Sequence, residues 1–409
     1  MNMIARFLTL VCLLACGPAF GQTDSLRYAV RGTVRDAADG KALPYVSVTL
    51  PGTHFATVTN QDGSFIIKSD IAPRAVSFSL LGYKVLTLPA DRELAMQVSL
   101  SRGEFTLDPA QVVTGDPLTL LREAIYKIPE NFPGEPELFD CFYRETVQKR
   151  QRFIYVSEAV TRMYKTSFRS TFGRDRAAVG KSRLLTSPRR SDTLAVKVLG
   201  GPTQTVDLDV VKYRSVVLNE TDLADYALEL LEPEMIDDRR QLVIRMTPVR
   251  NPDYAGQHGM IYIDQETLAF TRIELSLDMS DPQKATRAML VRKPADIRFR
   301  PKEMSLLLNY KREGDKSRLS YVRTVFRFNC DARRRLWNTE FTAVAETVVT
   351  NRHSGAEAVP IERAESFRSG DSLADKTEVY ADPDFWRAYN IIEPTESLEH
   401  AIGRLRKEE

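Results

Sequence analysis

The chain has 409 residues, 43% of them hydrophobic and 27% charged, enough apolar side chains to build two or three packed domains and too many for a disordered polymer. Lysine and arginine number 57 against 55 aspartate and glutamate, a net charge of +2, which excludes a global electrostatic pull toward nucleic acid.

Residues 1–21 carry Arg6, an apolar run from Phe7 to Ala15 and then small residues ending in Ala19-Phe20-Gly21. Too short to cross a bilayer, this segment reads as a signal peptide, and the chain is expected in the periplasm or at the outer membrane. The competing reading is a lipoprotein signal, Leu13-Leu14-Ala15-Cys16, with Cys16 lipidated. No later run is long and apolar enough for a transmembrane helix. Of the four cysteines, Cys141 and Cys330 lie beyond this segment. They could pair in an oxidising compartment, or be two small buried strand residues.

From Arg27 to Asp70 the chain reads as strands separated by tight reversals. Val46, Val48 and Leu50 alternate with Ser47 and Thr49, the period of a strand with one face in a core. Asp39-Gly40 and Asp62-Gly63 supply residues that tolerate positive φ. Val76, Phe78 and Leu80, then Leu86 and Leu88, then Met96, Val98 and Leu100 continue the alternation. Residues 28–101 thus hold about seven short strands, enough for a small sandwich.

Val30, Gly32, Val34, Asp36, Gly40, Leu43, Pro44, Val46 and Val48, followed by Gly52-Thr53, Thr59, Asp62-Gly63, Phe65 and Leu81-Gly82-Tyr83, form a pattern that resembles the carboxypeptidase regulatory-like domain. The resemblance implies a prealbumin-like β-sandwich, related to carbohydrate-binding-like folds and common as an N-terminal appendage of secreted proteins in Bacteroidota. It implies no peptidase activity, because that chemistry resides elsewhere in the enzymes that give the family its name.

Residues 102–133 read as a linker and a helix, with Asp116 as cap, Pro117 at the first helical position and Leu118, Leu121, Ile125 and Ile128 on one face. Pro129 and Pro133 are expected to end it. Residues 134–392 read as a larger antiparallel β-rich domain with a curved sheet. Its expected strands include Phe139–Thr146, one starting at Ile154 and Val156, one at Leu194, Val196 and Val198, and long ones over Met304–Lys311, Arg318–Asn329 and Leu336–Val349. Residues 393–409 form a last helix, with Leu398, Ala401, Ile402 and Leu405 on one face.

FYRET at Phe142–Thr146, YVSEAV at Tyr155–Val160, IYIDQETLAFTRIE at Ile261–Glu274 and DFWRAYNIIEP at Asp384–Pro394 resemble an uncharacterised family that joins the regulatory-like domain to such a β domain. The Ile261–Thr267 hairpin is also similar to one in the periplasmic lipoprotein-carrier fold.

His54, His258, His353 and His400 form no H-x-x-E or H-E-x-x-H pattern, and no G-x-S-x-G elbow, P-loop or G-x-G-x-x-G occurs. No catalytic residue, metal site or cofactor is therefore expected. The acidic turn Asp237-Asp238 could hold a calcium ion weakly. Arg144 and Glu145 are expected on opposite faces of one strand, one in solvent and the other paired across strands, rather than facing a cleft. Arg189-Arg190 and Arg333-Arg334-Arg335 read as solvated turns or contacts for anionic lipid, and Phe385-Trp386 with Tyr389 as anchors for the last helix or a platform for a sugar ring. The sequence favours a non-catalytic envelope protein that binds or scaffolds a protein or glycan partner. A carrier of a lipid or other apolar ligand is the alternative, and a hydrolase a further one.

Overall fold

The computed structural model describes residues 28–91, 94–103, 115–170, 172–192, 194, 196–198, 200–215, 218–249, 253–332, 339–368, 371, 373 and 389–408. The expected signal peptide, Arg333–Arg335 and Phe385-Trp386 lie outside these residues.

The first module is a mainly two-layered β structure. One sheet orders β4 (Ser64–Ser69), β1 (Tyr28–Asp36) and β7 (Met96–Leu100); the other orders β3 (Ala56–Val58), β2 (Ser47–Thr49), β5 (Ala75–Ser79) and β6 (Leu86–Pro89). The alternation does what it predicts. Val30 and Val34 of β1, Phe65 and Ile67 of β4, Val48 of β2 and Phe78 of β5 face one another in a closed core, with Phe65 and Phe78 edge to face at 5.3 Å. Burying each such side chain is worth about 1.5–3 kcal/mol. Gly32 is required because β7 runs parallel to β1 alongside it, and a Cβ there would sit 2.2 Å from the Met96 carbonyl oxygen. The motif residues Asp36 and Tyr83 meet inside the module, where the Tyr83 hydroxyl donates to Asp36 Oδ2 at 2.7 Å.

α1 (Pro117–Tyr126) starts as its sequence predicts, with Asp116 accepting from the Thr119 amide at 2.9 Å. Pro129 does not end the helical run. It opens a further turn, α2 (Ile128–Asn131), because a proline fits the first positions of a helix, where no N–H bond is lost.

The second module is one ten-stranded antiparallel sheet. Its strands are β8 (Glu137–Lys149), β9 (Arg152–Lys165), β10 (Arg176–Thr186), β12 (Tyr226–Ile236), β13 (Arg239–Pro248), β14 (Gln257–Asp264), β15 (Phe270–Leu277), β17 (Ile297–Glu313), β18 (Lys316–Ala332) and β19 (Glu340–Ser354). In space they run β10-β9-β8-β19-β18-β17-β15-β14-β13-β12, so the first and last long strands of the module, β8 and β19, pair with each other inside the sheet, third and fourth from its β10 edge. The strand expected around Leu194 shrinks to β11 (Lys197–Val198), which pairs with β16 (Leu290–Arg292) outside this sheet.

Both faces of the large sheet are covered. On one face Phe139, Cys141, Leu306 and Leu308 pack against α1 and against α3 (Pro202–Asp207) and α4 (Val210–Tyr213). Farther along it, Phe326, Phe328 and Phe341 pack with Ala285 and Met289 of α5 (Pro282–Met289). Asp209 anchors α4 by pairing with Lys165 at 2.7 Å and accepting from the Tyr310 hydroxyl at 2.7 Å. The opposite face carries the sandwich and the C-terminal helix α6 (Glu396–Glu408), whose Leu398, Ile402 and Leu405 lie on Val156 and Leu185.

Residues 389–396 run between sandwich and sheet as a strap. Asn60 Nδ2 donates to the carbonyls of Glu393 (3.1 Å) and Pro394 (3.0 Å), and Thr57 Oγ1 to that of Ile391 (2.9 Å). From the sheet side, Arg144 donates to the Ile392 carbonyl at 2.6 Å. A second clamp is the β12–β13 turn, where Asp237 and Asp238 both have positive φ, of 53° and 55°. Asp237 accepts from the Ser79 hydroxyl and Asp238 from the Val85 amide, at 2.9 Å for the latter.

Candidate functional site

A pocket lies where the sandwich meets the sheet. Its volume is about 230 Å³. Tyr45, Thr49, Phe55 and Ser79 of the sandwich form one wall, and Arg272, Asn309, Lys311, Ser320 and Tyr321 of the sheet form the other. Lys311 and Asn309 reach it because they lie on the sandwich side of β17, alternating with Leu306 and Leu308 on the helix side.

Tyr45 is held at a φ of 62°, a left-handed conformation that is uncommon for a bulky side chain. Its ring stacks on Tyr321 at 5.9 Å, with the Arg323 guanidinium 5.3 Å from the ring centre. At the rim, Glu137 takes both Arg318, at 2.8–2.9 Å, and Arg352, at 3.1 Å. Arg352 also pairs with Glu313 at 3.1 Å and lies 3.3–3.4 Å from the ring nitrogens of His54. Arg272 is held by Glu274 at 2.6 Å and by Asn309 Oδ1 at 3.2 Å.

Lys311 differs from these arginines. Its ammonium donates to Thr49 Oγ1 at 3.0 Å, and among the described residues no carboxylate lies within ion-pair distance of it. Burial pushes its pKa down, against the opposing pull of the more distant Asp237 and Glu313 carboxylates.

Of the residues singled out from sequence, His54 and Asp237 line the pocket, and the others fall elsewhere. Arg144 and Glu145 do point to opposite faces, but neither is in solvent, because both faces of the sheet are covered. Arg144 is buried and bonded to Glu158 at 2.8 Å, and Glu158 also takes Arg183 at 2.6 Å. Glu145 accepts from the Tyr143 hydroxyl at 2.6 Å, and burial holds its carboxyl above the usual range. His258 and His400 are exposed, His54 is at the pocket rim, and His353 bonds Asp140 at 2.7 Å. Among the described residues no three His, Cys, Asp or Glu side chains gather as a metal would require. The Asp237-Asp238 turn is occupied in clamping the sandwich. Arg189 is exposed, and Tyr389 packs beside Val58 and Phe142, so it anchors the strap rather than the helix itself. Cys141 and Cys330 are both free and buried.

A second, smaller cavity of about 110 Å³ lies on the helix side of the sheet. Leu208, Val210, Leu275, Leu277, Met304 and Leu306 give it apolar walls, with Asp207, Ser215 and Gln257 at its edge.

Several solved structures are partly similar to the chain. A putative outer membrane lipoprotein-sorting protein domain from Vibrio parahaemolyticus is 12% identical, covering 61% of this chain and 94% of its own, with a TM-score of 0.26. A DUF1329 family protein from Desulfovibrio piger is 11% identical, covering 57% and 94%, with a TM-score of 0.24. A LolA superfamily protein from Nitrosomonas europaea is 13% identical, covering 62% and 99%, with a TM-score of 0.20. Likeness this slight transfers neither ligand nor activity. No curated protein matches the sequence. The family model of the CarboxypepD_reg-like domain matches residues 30–113, which carry the Val30–Tyr83 pattern and include the strands β1–β7. Residues 30–113 are therefore a CarboxypepD_reg-like domain, seated on a ten-stranded β-rich module.

Proposed function

We propose that this is a non-catalytic binding protein of the cell envelope, exported by the signal peptide at residues 1–21, and that its ligand sits in the pocket between the two modules. The observation that carries this reading is a pocket of about 230 Å³ whose walls come from both modules. Rigid walls cost a ligand little ordering entropy. Here the strap and the Asp237-Asp238 turn hold the modules together from two sides. The volume falls below the roughly 300 Å³ at the lower end of common ligand sites, so the ligand is a small molecule or the tip of a larger one. A glycan end or a peptide end both meet that description.

The test is a thermal-shift screen of saccharides and short peptides against the purified chain and a Ser320→Trp variant, whose indole fills the pocket. Ligands that raise the Tm of the parent and leave the variant unchanged support the reading. Ligands that stabilise both alike contradict it.

Carriage of an apolar ligand is a second reading, favoured by the apolar cavity of about 110 Å³ under α3 and α4. Native mass spectrometry of the freshly purified chain should then find lipid bound; bare polypeptide mass counts against it.

A further inference from the structure

We infer that the pocket between the modules recognises a small carboxylate through Lys311. This deepens the reading of that pocket as the ligand site and rests on it. The argument is an accounting of charge. Four cationic side chains line the pocket: Arg272, Lys311, Arg318 and Arg352. The three arginines are spent. Arg272 is held by Glu274, Arg318 by Glu137, and Arg352 by Glu137 and Glu313. The remaining lining carboxylate, Asp237, accepts from Ser79.

Among the described residues, Lys311 is the one cation of the pocket wall without a carboxylate at ion-pair distance, and its three N–H donors have a single neutral acceptor, Thr49 Oγ1. A half-buried ammonium without a carboxylate partner is costly, and a bound anion removes that cost. Asn309 adds a neutral donor. Its Oδ1 is taken by Arg272, and among the described residues its Nδ2 has no acceptor. One unspent cation beside one amide suits a monoanion with two oxygens. A phosphate dianion would require a second free cation, which these arginines do not supply. Tyr45 and Phe55 give the body of the ligand an apolar wall.

A carboxylate of this size belongs either to a sugar acid or to the end of a peptide. Isothermal titration of the full chain with galacturonate, N-acetylalanine and neutral methyl galactoside separates the sources. We expect at least one carboxylate to bind about tenfold more tightly than the neutral galactoside, a gap of one charge-assisted contact. Lys311→Met, close in length and uncharged, should remove that advantage, whereas Thr49→Val, which keeps the ammonium, should retain it. Tighter galacturonate assigns a sugar acid, and tighter N-acetylalanine a peptide end. Binding of both carboxylates no more tightly than methyl galactoside overturns the inference and leaves the pocket reading intact. Unchanged carboxylate binding by a folded Lys311→Met chain overturns it too. So does binding of neither carboxylate, and the pocket reading is then decided by the Ser320→Trp comparison alone.

Discussion

The Asn390 side chain pairs with both backbone groups of Lys68, accepting from its amide at 2.6 Å and donating to its carbonyl at 2.9 Å. One carboxamide thus serves strand β4 as a neighbouring strand would, and ties the C-terminal strap to the sandwich. Both residues are buried, so neither bond can be replaced by water without opening the interface. Asn390→Ala should lower stability by about 1–3 kcal/mol, the cost of leaving buried backbone groups unpaired. Urea denaturation measures it; a loss below a few tenths of a kcal/mol would mean that the strap is held elsewhere.

Glu158 lies between Arg144 and Arg183, and Arg144 also holds the strap through Ile392. Burial pushes the Glu158 carboxyl up, but the two guanidiniums outweigh it and hold the carboxyl below the usual range. The sign follows from linkage: a carboxyl depressed in the folded state stabilises it above the unfolded value, and that contribution is lost as pH falls through the folded one. Glu158→Ala should cost about 3–5 kcal/mol at neutral pH, because two buried cations lose their counter-ion. The variant should also show a shallower loss of stability than the parent below about pH 4. Paired denaturation curves across that range check both.

Lys68 behaves in the opposite sense. Burial first, then the neighbouring Arg31, push its pKa down to about 8. Between that value and the ordinary ~10.4 the unfolded chain binds more protons than the folded one, so this group makes stability rise with pH there. Stability of the parent relative to Lys68→Met should therefore increase from about pH 8 to about pH 10. A difference that is flat or falling over that window would contradict the assignment.

Cys141 and Cys330 are free, and burial raises both thiols, Cys330 to about 11. Thiolate is therefore scarce at neutral pH. Mass spectrometry after alkylation in denaturant should find both sulfurs as thiols, and Ellman's reagent should react slowly with the native chain and rapidly after unfolding. A pair of cysteines that resists alkylation in denaturant until a reductant is added would contradict this.

Much of the sandwich was legible because its signals are local. Val30, Val34, Phe65 and Phe78 alternate with polar neighbours, and Asp39-Gly40 and Asp62-Gly63 mark reversals. The last helix was legible for the same reason, its apolar face ending on Val156 and Leu185. α5 was missed although Asp281-Pro282 repeats the Asp116-Pro117 signal that located α1; Asp281 caps the Gln283 and Lys284 amides at 2.9 and 3.1 Å. That Arg144 is buried and Glu145 is kept from solvent was not legible, since strand alternation separates the two faces without revealing that both are covered. The pocket was not legible either. Thr49 and Lys311 are 262 residues apart, and no local pattern marks a lysine whose counter-ion is missing. Asp237-Asp238 reads as an exposed acidic turn until Ser79 and Val85 are seen to sit on it.

The central claim is that ligand binds between the modules. Amide shift mapping by TROSY NMR, with the tightest compound from the screen, tests it most directly. The account predicts shifts concentrated at Thr49, His54, Lys311 and Arg352, all in the pocket wall. Shifts gathered instead around Leu208, Val210 and Leu306, in the apolar cavity on the far face of the sheet, would contradict it.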